Sequence, residues 1–365
     1  MQNRVVLITS LALLVLPAGA FAQQPAALDA AFKIVQDAVA QGEVPGAVAL
    51  VARNGRVVRE ESFGLADVEN KIPFTPQTLC WIASITKPIT VAAAMKLVES
   101  GQLGLEDPIE KHLPEFKEML DKDGKHHIVT IRQLMSHTSG IQSNPPSRPD
   151  FFFAPEFLER KLGEIAPLIA KTPLQFEPGS KVQYSNAAPY VLGRIIEVKS
   201  GRPFHEHVRQ TILEPAQMRD SYFIIPPAEA KRVAVVYRDT RGQRVTFFRF
   251  DPAWRVTMTL PDGGLFSSPR EIAKFLQVFL SEDQRVLSPE SVKAMRTRQA
   301  PGWGLGWALE EDGLFSHSGS SGTSAWADPK TGVVGVLFFQ LQNNEKIAPL
   351  QTAFRQAVRA ANSQP

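Results

Sequence analysis

Segments with strand-forming patterns lie near both ends of the chain, and segments with helix-forming patterns fill its middle. Ala47–Ala52 and Arg56–Glu60 are β-rich and flank Asn54-Gly55, a dipeptide typical of a tight hairpin turn. The apolar, β-branched run Val333–Gln340 lies near the other end. The simplest arrangement is an antiparallel sheet built from both chain ends and flanked by helices, with a mainly helical domain inserted between them. The predicted fold class is therefore mixed α/β (α+β).

Apolar residues at helical spacing predict helices at Leu28–Ala40, Ser84–Glu99 and Ile347–Ala361. Two further helix starts carry the capping-box pattern, Thr130 with Gln133 and Ser268 with Glu271. We expect residues 23–80 and 300–365 to form the sheet-containing domain and residues 81–299 the helical one. The functional site is expected in the cleft between them. The Pro-rich stretch 142–155 is interpreted as a loop over that cleft.

The first 22 residues have the pattern of a secretory signal peptide. Arg4 supplies a positive start, an apolar run follows it, and residues 20–22 fit the cleavage pattern. We predict cleavage after Ala22, no stable membrane insertion afterwards, and a periplasmic or secreted protein. The alternative is an uncleaved membrane anchor. The single cysteine, Cys80, excludes an intrachain disulfide and is expected to be a buried, inert thiol.

The charge balance argues against a nucleic-acid partner. The chain has 40 Lys and Arg against 37 Asp and Glu, without a run of one sign. The nucleophile pattern G-x-S-x-G and the zinc pattern H-E-x-x-H are both absent from the sequence. His205 and His207 form an H-x-H without a following carboxylate ligand, so we interpret them as surface histidines. His137 is expected to brace the end of its helix.

Ser84 and Lys87 form the first candidate catalytic pair. Three positions apart at the start of a helix, they share one face, so the Lys87 amine is expected beside the Ser84 hydroxyl. A serine hydroxyl becomes a strong nucleophile when a neighbouring base takes its proton, and a lysine desolvated in a cleft can do this. The pattern alone is weak, because a plain helix N-cap is the alternative role for Ser84.

Two further motifs carry groups that such a nucleophile needs. Tyr184 can act as a general base when its phenol lies near an ammonium, although a half-buried packing role stays open. Asn186 can orient a side chain or bind a substrate carbonyl. Residues 317–320, His-Ser-Gly-Ser, precede the C-terminal strands. On an edge strand they would let a substrate lie alongside, with an amide that pairs with the Ser84 amide as an oxyanion hole; the alternative is a flexible turn.

The sequence resembles the penicillin-recognising serine hydrolases, which are related to the serine β-lactamases. The resemblance rests on three motifs in order: Ser84-x-x-Lys87, Tyr184-x-Asn186 and His317-x-Gly319. It is greatest to the branch of class C β-lactamases and D,D-carboxypeptidases, which also contains esterases. It covers most of residues 30–360 and includes the stretches Leu134–Gly140 and Gly263–Ser268.

This resemblance implies an acyl-enzyme mechanism without a metal or cofactor. The substrate would be a small acyl compound, such as an ester, amide, peptide or β-lactam. Ser84 would be the nucleophile, while Lys87 and Tyr184 would share proton transfer. Asn186 would orient Lys87 and the substrate. The backbone amides of Ser84 and Ser320 would form the oxyanion hole.

The third motif departs from that of the β-lactamases of this lineage. Those enzymes usually have a lysine at its first position, whereas this chain has His317, followed by Ser318 and Gly319 along the implied substrate site. A neutral imidazole supplies a hydrogen bond but no fixed charge for a carboxylate. We therefore expect hydrolysis of small esters, amides or peptides rather than efficient β-lactam turnover. The alternatives are a true class C-like β-lactamase or D,D-peptidase, and, in another class, a non-catalytic peptidoglycan-binding relative.

Overall fold

The computed structural model describes residues 27–146, 154–253, 255–281, 283–342 and 345–362. The predicted signal peptide and residues 147–153 of the predicted cleft loop lie outside these ranges. Within them, no helix is both long enough and apolar enough to span a bilayer.

Strands from both ends of the chain form one antiparallel sheet. In spatial order they are Ile72–Pro73 (β3), Arg56–Asp67 (β2), Gly46–Arg53 (β1), Val333–Phe338 (β11), Thr323–Asp328 (β10), Phe315–Gly319 (β9) and Ala308–Leu309 (β8). Two short pairs lie outside it: Cys80–Trp81 (β4) with Phe266–Ser267 (β7), and Val236–Thr240 (β5) with Gln243–Phe248 (β6). Because β1 pairs directly with β11, the predicted sheet and fold class are confirmed.

Helices cover both faces of this sheet. The α-helices of the described residues are Asp29–Ala40 (α1), Thr86–Glu99 (α2), Ile131–Met135 (α3), Pro155–Leu158 (α4), Leu162–Ala170 (α5), Ala187–Ser200 (α6), Phe204–Val208 (α7), Pro269–Val278 (α8), Pro289–Arg296 (α9) and Ile347–Asn362 (α10). The α1 and α10 helices pack together on one face, and α8 packs on the other. The α8 helix comes from residues 81–299, and the predicted domain boundaries stay a prediction.

Burial of β1 explains its composition. Val48 and Leu50 belong to the core on the α8 side, whereas Ala49 and Val51 belong to the core beneath α1 and α10. Because successive strand side chains point to opposite faces, a strand covered on both faces is apolar at every position. The strand therefore reads as a continuous apolar run and anchors the sheet in the middle of the molecule.

Two local sequence signals, one for a hairpin turn and one for a helix start, give the structures that they predict. Asn54 and Gly55 have φ values of 50° and 76°, the left-handed conformation that a type I′ hairpin turn requires at both central residues. At the start of α3, Thr130 accepts a hydrogen bond from the Gln133 amide, and the Gln133 side chain accepts one from the Thr130 amide. The predicted capping box at Thr130 is confirmed.

The predicted capping box at Ser268 is wrong, although α8 begins at the expected proline. The Ser268 side chain makes no capping hydrogen bond. The Glu271 carboxylate instead accepts from the Asp220 amide at 3.0 Å and pairs with Lys274. A partner distant in sequence takes the side chain that the local pattern assigned to the cap.

His207 is buried, which corrects the prediction that it lies on the surface. It is 4% exposed, and its Nε2 lies 3.2 Å from the carbonyl oxygen of Ala93 on α2. Burial lowers the pKa of His207 and also that of His205. Packing against α2 thus accounts for one histidine of the H-x-H pattern, His207.

Candidate active site

The segment that leads into Ser84 is tied to the sheet through its backbone. Gln340 bonds both backbone groups of Trp81: its Oε1 accepts from the amide and its Nε2 donates to the carbonyl, at 3.1 and 3.0 Å. Thr323 Oγ1 donates to the Ile82 carbonyl at 2.9 Å. The next residue, Ala83, has a φ of 47°, a strained conformation for a residue with a Cβ. These bonds hold the turn Ala83–Ile85 in a fixed place at the end of β4.

Ser84 and Lys87 are in direct contact, as their spacing predicts. Ser84 lies in this 3₁₀ turn, and Lys87 lies in the first turn of α2. Lys87 Nζ donates to Ser84 Oγ at 3.0 Å. The alternative role of Ser84 as an N-cap is wrong, because the residue preceding α2 is Ile85 and no side chain caps this helix end.

Two further oxygen atoms surround the Lys87 amine. Nζ donates to Asn186 Oδ1 at 2.9 Å and to the carbonyl oxygen of Asp262 at 2.8 Å. Asn186 Nδ2 in turn donates to Asn144 Oδ1 at 2.9 Å, and its backbone amide donates to the Ser143 carbonyl. Lys87 is only 2% exposed, so its hydrogen bonds replace water at the amine. The arrangement fixes the Nζ atom against the Ser84 hydroxyl.

Tyr184 covers this pair from one side. Lys87 Nζ lies 4.8 Å from the centroid of the Tyr184 ring. The structure therefore brings the predicted phenol to the amine.

Aromatic rings pack around Tyr184. The His137 ring stacks on it with the centroids 4.5 Å apart, and Trp303 meets the His137 ring edge-on at 4.7 Å. His137 also accepts a hydrogen bond from the Ser185 amide through Nδ1, at 3.2 Å. The expected bracing of its own helix end stays a prediction, because the hydrogen bonds of His137 go to the Tyr184 motif.

His317 lies on β9 and is buried next to Tyr184, with ring centroids 6.2 Å apart. Its Nδ1 lies 2.8 Å from the Ser318 carbonyl oxygen, which can only accept, so Nδ1 carries the proton and Nε2 has a free lone pair. Nε2 has no hydrogen-bond partner among the described residues. Burial, followed by the nearby charge of Lys87, lowers the pKa of His317 to about 3. The imidazole is therefore neutral near pH 7.

The rest of the third motif forms the edge of the sheet. The β8 strand pairs with β9 only at Phe315 and Ser316, so within the described strands Ser318 and Gly319 keep an unpaired outer edge. A Cβ on Gly319 would lie 2.3 Å from the Ile82 carbonyl oxygen. The close approach of β9 to the backbone just before the turn Ala83–Ile85, which carries Ser84 and is called the nucleophile turn below, therefore requires glycine. Ser320 follows in a turn closed by a bond from Gly322 to Gly319, which leaves the Ser320 amide outside the turn's own hydrogen bond.

A cavity of about 380 Å³ opens beside these residues. Tyr184, Trp303, His317 and Ser318 line one side, and α10 lines the other.

No group of three His, Cys, Asp or Glu side chains that could hold a metal ion occurs in the described part of the chain. Cys80 is fully buried, as predicted, and burial raises the pKa of its thiol.

Some members of the site have no signature of their own in the sequence. Asp262 takes part through its backbone carbonyl, which any residue type carries. Asn144 lies in the predicted cleft loop, but nothing in its local pattern indicates contact with Asn186. The stretch Gly263–Ser268 was the available signal, because it follows Asp262 directly.

Comparisons with known proteins agree with this geometry. The sequence model of the family described as Beta-lactamase matches residues 31–360. Esterase EstB of Burkholderia gladioli is 31% identical, over 93% of this chain and 97% of its own length. The octameric penicillin-binding protein homologue of Pyrococcus abyssi is 28% identical with a TM-score of 0.75, covering 91% of this chain and 77% of that one.

A third similarity concerns the fold alone. EstCE1, a hydrolase with promiscuous acyltransferase activity, superposes with a TM-score of 0.81 at 23% identity, covering 93% of this chain and all of that one. The fold is therefore shared across nearly the whole described chain.

Proposed function

This chain belongs to the beta-lactamase family and is a serine hydrolase, and from that premise we propose that it hydrolyses small carboxylic esters through an acyl-enzyme on Ser84. The hydrogen bonds at Lys87 Nζ carry the proposal. Asn186 Oδ1 and the Asp262 carbonyl oxygen can only accept, so they use two N–H groups of the amine. In the neutral form that accepts the Ser84 proton, the amine keeps these two bonds, and its lone pair takes the place of the N–H that points at Ser84 Oγ 3.0 Å away.

The steps follow from these positions. Ser84 Oγ attacks the ester carbonyl carbon while its proton passes to the Lys87–Tyr184 pair. The carbonyl oxygen becomes an oxyanion, for which the amides of Ser84 and Ser320 are the donors. The bond to the alkoxide breaks, and the alkoxide takes the proton and leaves as an alcohol. A water then attacks the acyl group and releases the acid, and the Ser84 hydroxyl is restored.

His317 favours esters over β-lactam antibiotics. A β-lactam carries a carboxylate, and neutral His317 offers it neither a positive charge nor, through Nε2 in this tautomer, a hydrogen-bond donor. Esterase EstB, one of the relatives, is named for ester hydrolysis. An uncharged ester places no such demand on the third motif.

A small peptide or amide is the second candidate substrate. The unpaired edge at Ser318 and Gly319 suits a substrate with backbone amide groups, which would add to β9 as an extra strand. A D,D-peptidase substrate has such groups, and a simple ester has none.

We also propose export to the periplasm or the medium, with cleavage after Ala22, on the basis of the signal-peptide pattern of the first 22 residues.

A substrate panel tests the proposal on the full chain. Turnover of p-nitrophenyl butyrate, a D-amino-acid amide, a D-Ala-D-Ala peptide and nitrocefin would be measured side by side, and a fluorophosphonate would be used to label the nucleophile. We expect the butyrate ester to be the best substrate and the phosphonyl group to be found on Ser84, with fluoride released. Faster turnover of nitrocefin would refute the ranking of substrates.

Two variants complete the test. Ser84→Ala should lose both turnover and labelling, whereas Ser180→Ala, an exposed serine whose hydroxyl bonds only the local Glu177 carbonyl, should keep both. A folded wild-type chain that neither hydrolyses any substrate nor takes the label would favour the non-catalytic peptidoglycan-binding alternative.

A further inference from the structure

His137 has a backbone conformation that a residue with a side chain rarely adopts. Its φ is 59°, in the left-handed region, and the residue is 3% exposed. Such a conformation costs on the order of 1 kcal/mol and persists where surrounding contacts hold it. The contacts of His137 therefore indicate what the strain achieves.

These contacts meet the Tyr184 motif from both sides. The His137 carbonyl accepts from the Gln183 amide at 2.9 Å, and its Nδ1 accepts from the Ser185 amide at 3.2 Å. The two amides flank Tyr184 in sequence, and the His137 ring also stacks on the Tyr184 ring. One residue thus holds the backbone before and after Tyr184 and one face of its ring.

The neighbouring residues continue the same contact. The Thr138 carbonyl accepts from Gly179 at 2.8 Å, and the Gly140 carbonyl accepts from Gln175 at 2.7 Å. Trp303 meets the His137 ring edge-on. The His137 ring is therefore in contact with both Tyr184 and Trp303, and the backbone of its segment is bonded to the segment that leads to Tyr184.

We infer that His137 is a positioning residue that directs the Tyr184 phenol toward the Ser84–Lys87 pair by presenting an unprotonated Nδ1 to the Ser185 amide. This inference rests on the proposed function, because it assigns His137 a task in the proton transfer of Tyr184. Burial, followed by the charge of Lys87, lowers the pKa of His137 well below its usual value. The lone pair on Nδ1 is therefore retained across the neutral range.

Two variants separate the ring from the acceptor. His137→Phe keeps an aromatic ring against Tyr184 but removes the acceptor. His137→Asn keeps an acceptor oxygen close to the position of Nδ1 and tolerates positive φ better than other residues. His207→Phe is the matched control, because His207 is equally buried but bonds Ala93 and lies outside the site.

The readouts are kcat and KM for p-nitrophenyl butyrate, the pH profile of kcat, and the fraction of chains labelled by the fluorophosphonate. A displaced catalytic group costs on the order of 100-fold. We expect His137→Phe to lower kcat per labelled chain about 10- to 100-fold with KM within about threefold and an altered pH profile. His137→Asn should restore kcat to within about fivefold, and His207→Phe should leave kcat per labelled chain unchanged.

Unchanged kcat per labelled chain in His137→Phe would overturn the inference, since a purely structural role lowers only the labelled fraction. If His137→Phe does not fold, His137→Asn decides: kcat within fivefold of wild type supports the inference, and a larger loss in the folded variant overturns it. The proposed function fails separately, when wild type has no turnover or label. The role of Tyr184 fails when Tyr184→Phe keeps full kcat, and the inference then fails with it.

Discussion

Asn186 faces Lys87 with an uncharged oxygen, and the lack of charge matters as much as the contact. In Asn186→Asp, a carboxylate would lie about 3 Å from Nζ and would favour the ammonium, which has no lone pair for the Ser84 proton. We expect kcat/KM for p-nitrophenyl butyrate at pH 7 to fall about 10- to 100-fold. The rate should recover partly as the pH rises, in a profile measured from pH 6 to 10.

Asn362→Asp serves as the control for the charge change. Asn362 ends α10, where its side chain donates to the Val358 carbonyl. This variant should keep the wild-type rate and pH profile. An Asn186→Asp profile parallel to that of wild type, merely lower at every pH, would contradict the argument from charge.

Gly319 shows how closely β9 approaches the nucleophile turn. A methyl group there would lie 2.3 Å from both the Ile82 carbonyl oxygen and Thr323 Oγ1, and these atoms belong to the held backbone and a buried side chain. Overpacking of this kind costs about 1–3 kcal/mol. We expect Gly319→Ala to lose that much free energy of unfolding in urea and to label Ser84 at least 10-fold more slowly.

Gly163→Ala is the matched substitution. Inside α5, the nearest atoms to its added methyl group would belong to the flexible Arg194 side chain, at 3.3 Å and beyond. Stability there should stay the same or rise by up to about 1 kcal/mol, because alanine is the better helix former. Equal stability and labelling rates in the two variants would show that the contact between β9 and Ile82 is not tight.

At the level of elements, one side chain joins the end of β11 to the strand before the nucleophile. Gln340 is fully buried and bonds both backbone groups of Trp81. The Trp81 carbonyl also accepts from Ser321, whereas its amide has Gln340 as its hydrogen-bond acceptor. We expect Gln340→Leu to remove both buried hydrogen bonds between this side chain and the Trp81 backbone and to lower the free energy of unfolding by about 1–3 kcal/mol.

The same substitution should slow the reaction at Ser84, because Trp81 lies three residues before it. The measurements are urea unfolding and the rate of fluorophosphonate labelling. Gln41→Leu, at the exposed C-terminal end of α1, should change neither. A Gln340→Leu chain as stable as wild type would mean that the bond contributes no net free energy.

Elements specified by neighbouring residues could be predicted from the sequence, and elements that recruit distant partners could not. The Asn54-Gly55 turn and the Thr130 box follow from contacts within a few residues. At Ser268 the same pattern failed, because Glu271 bonds the backbone of Asp220 instead. His207 failed for a similar reason, since its environment is created by packing against α2.

At the scale of the whole molecule, the same distinction divides the site. The contact between Ser84 and Lys87 follows from helical spacing alone. Joining Asn186, about a hundred residues away, to Lys87 needed the family resemblance. The Asp262 carbonyl has no signature of its own, since a backbone oxygen has the same chemistry at every residue, and the only signal was the adjoining stretch Gly263–Ser268. Sequence motifs thus specify the side chains that contact Lys87, and the fold supplies its backbone acceptor.

Buried histidines also make the stability of the whole molecule depend on pH. Burial lowers the pKa of His317 to about 3 and that of His137 well below its usual value, and three more histidines shift in the same direction: His112, His205 and His207. Above pH ~6.5 these side chains are neutral in both the folded and the unfolded chain, so their stabilising contribution is fully present. As the pH falls below that value, the unfolded chain takes up protons that the folded chain cannot, and stability decreases.

We therefore expect the free energy of unfolding to fall between pH 6.5 and 4 by about 1.4 kcal/mol per pH unit for each histidine that stays neutral in the folded chain. Asp67 and Asp107 add to the loss mainly below about pH 4, because their pKa values are lowered from 3.8 to about 2. Urea unfolding at pH 7, 6, 5 and 4 measures this slope. His317→Gln should reduce it by one histidine's share, and Gln41→Leu, an exposed change that removes no titratable group, should leave it unchanged. Equal slopes for His317→Gln and wild type would mean that His317 takes up a proton in the folded chain. His317 would then be charged in part, and the argument that a neutral His317 favours esters would fail.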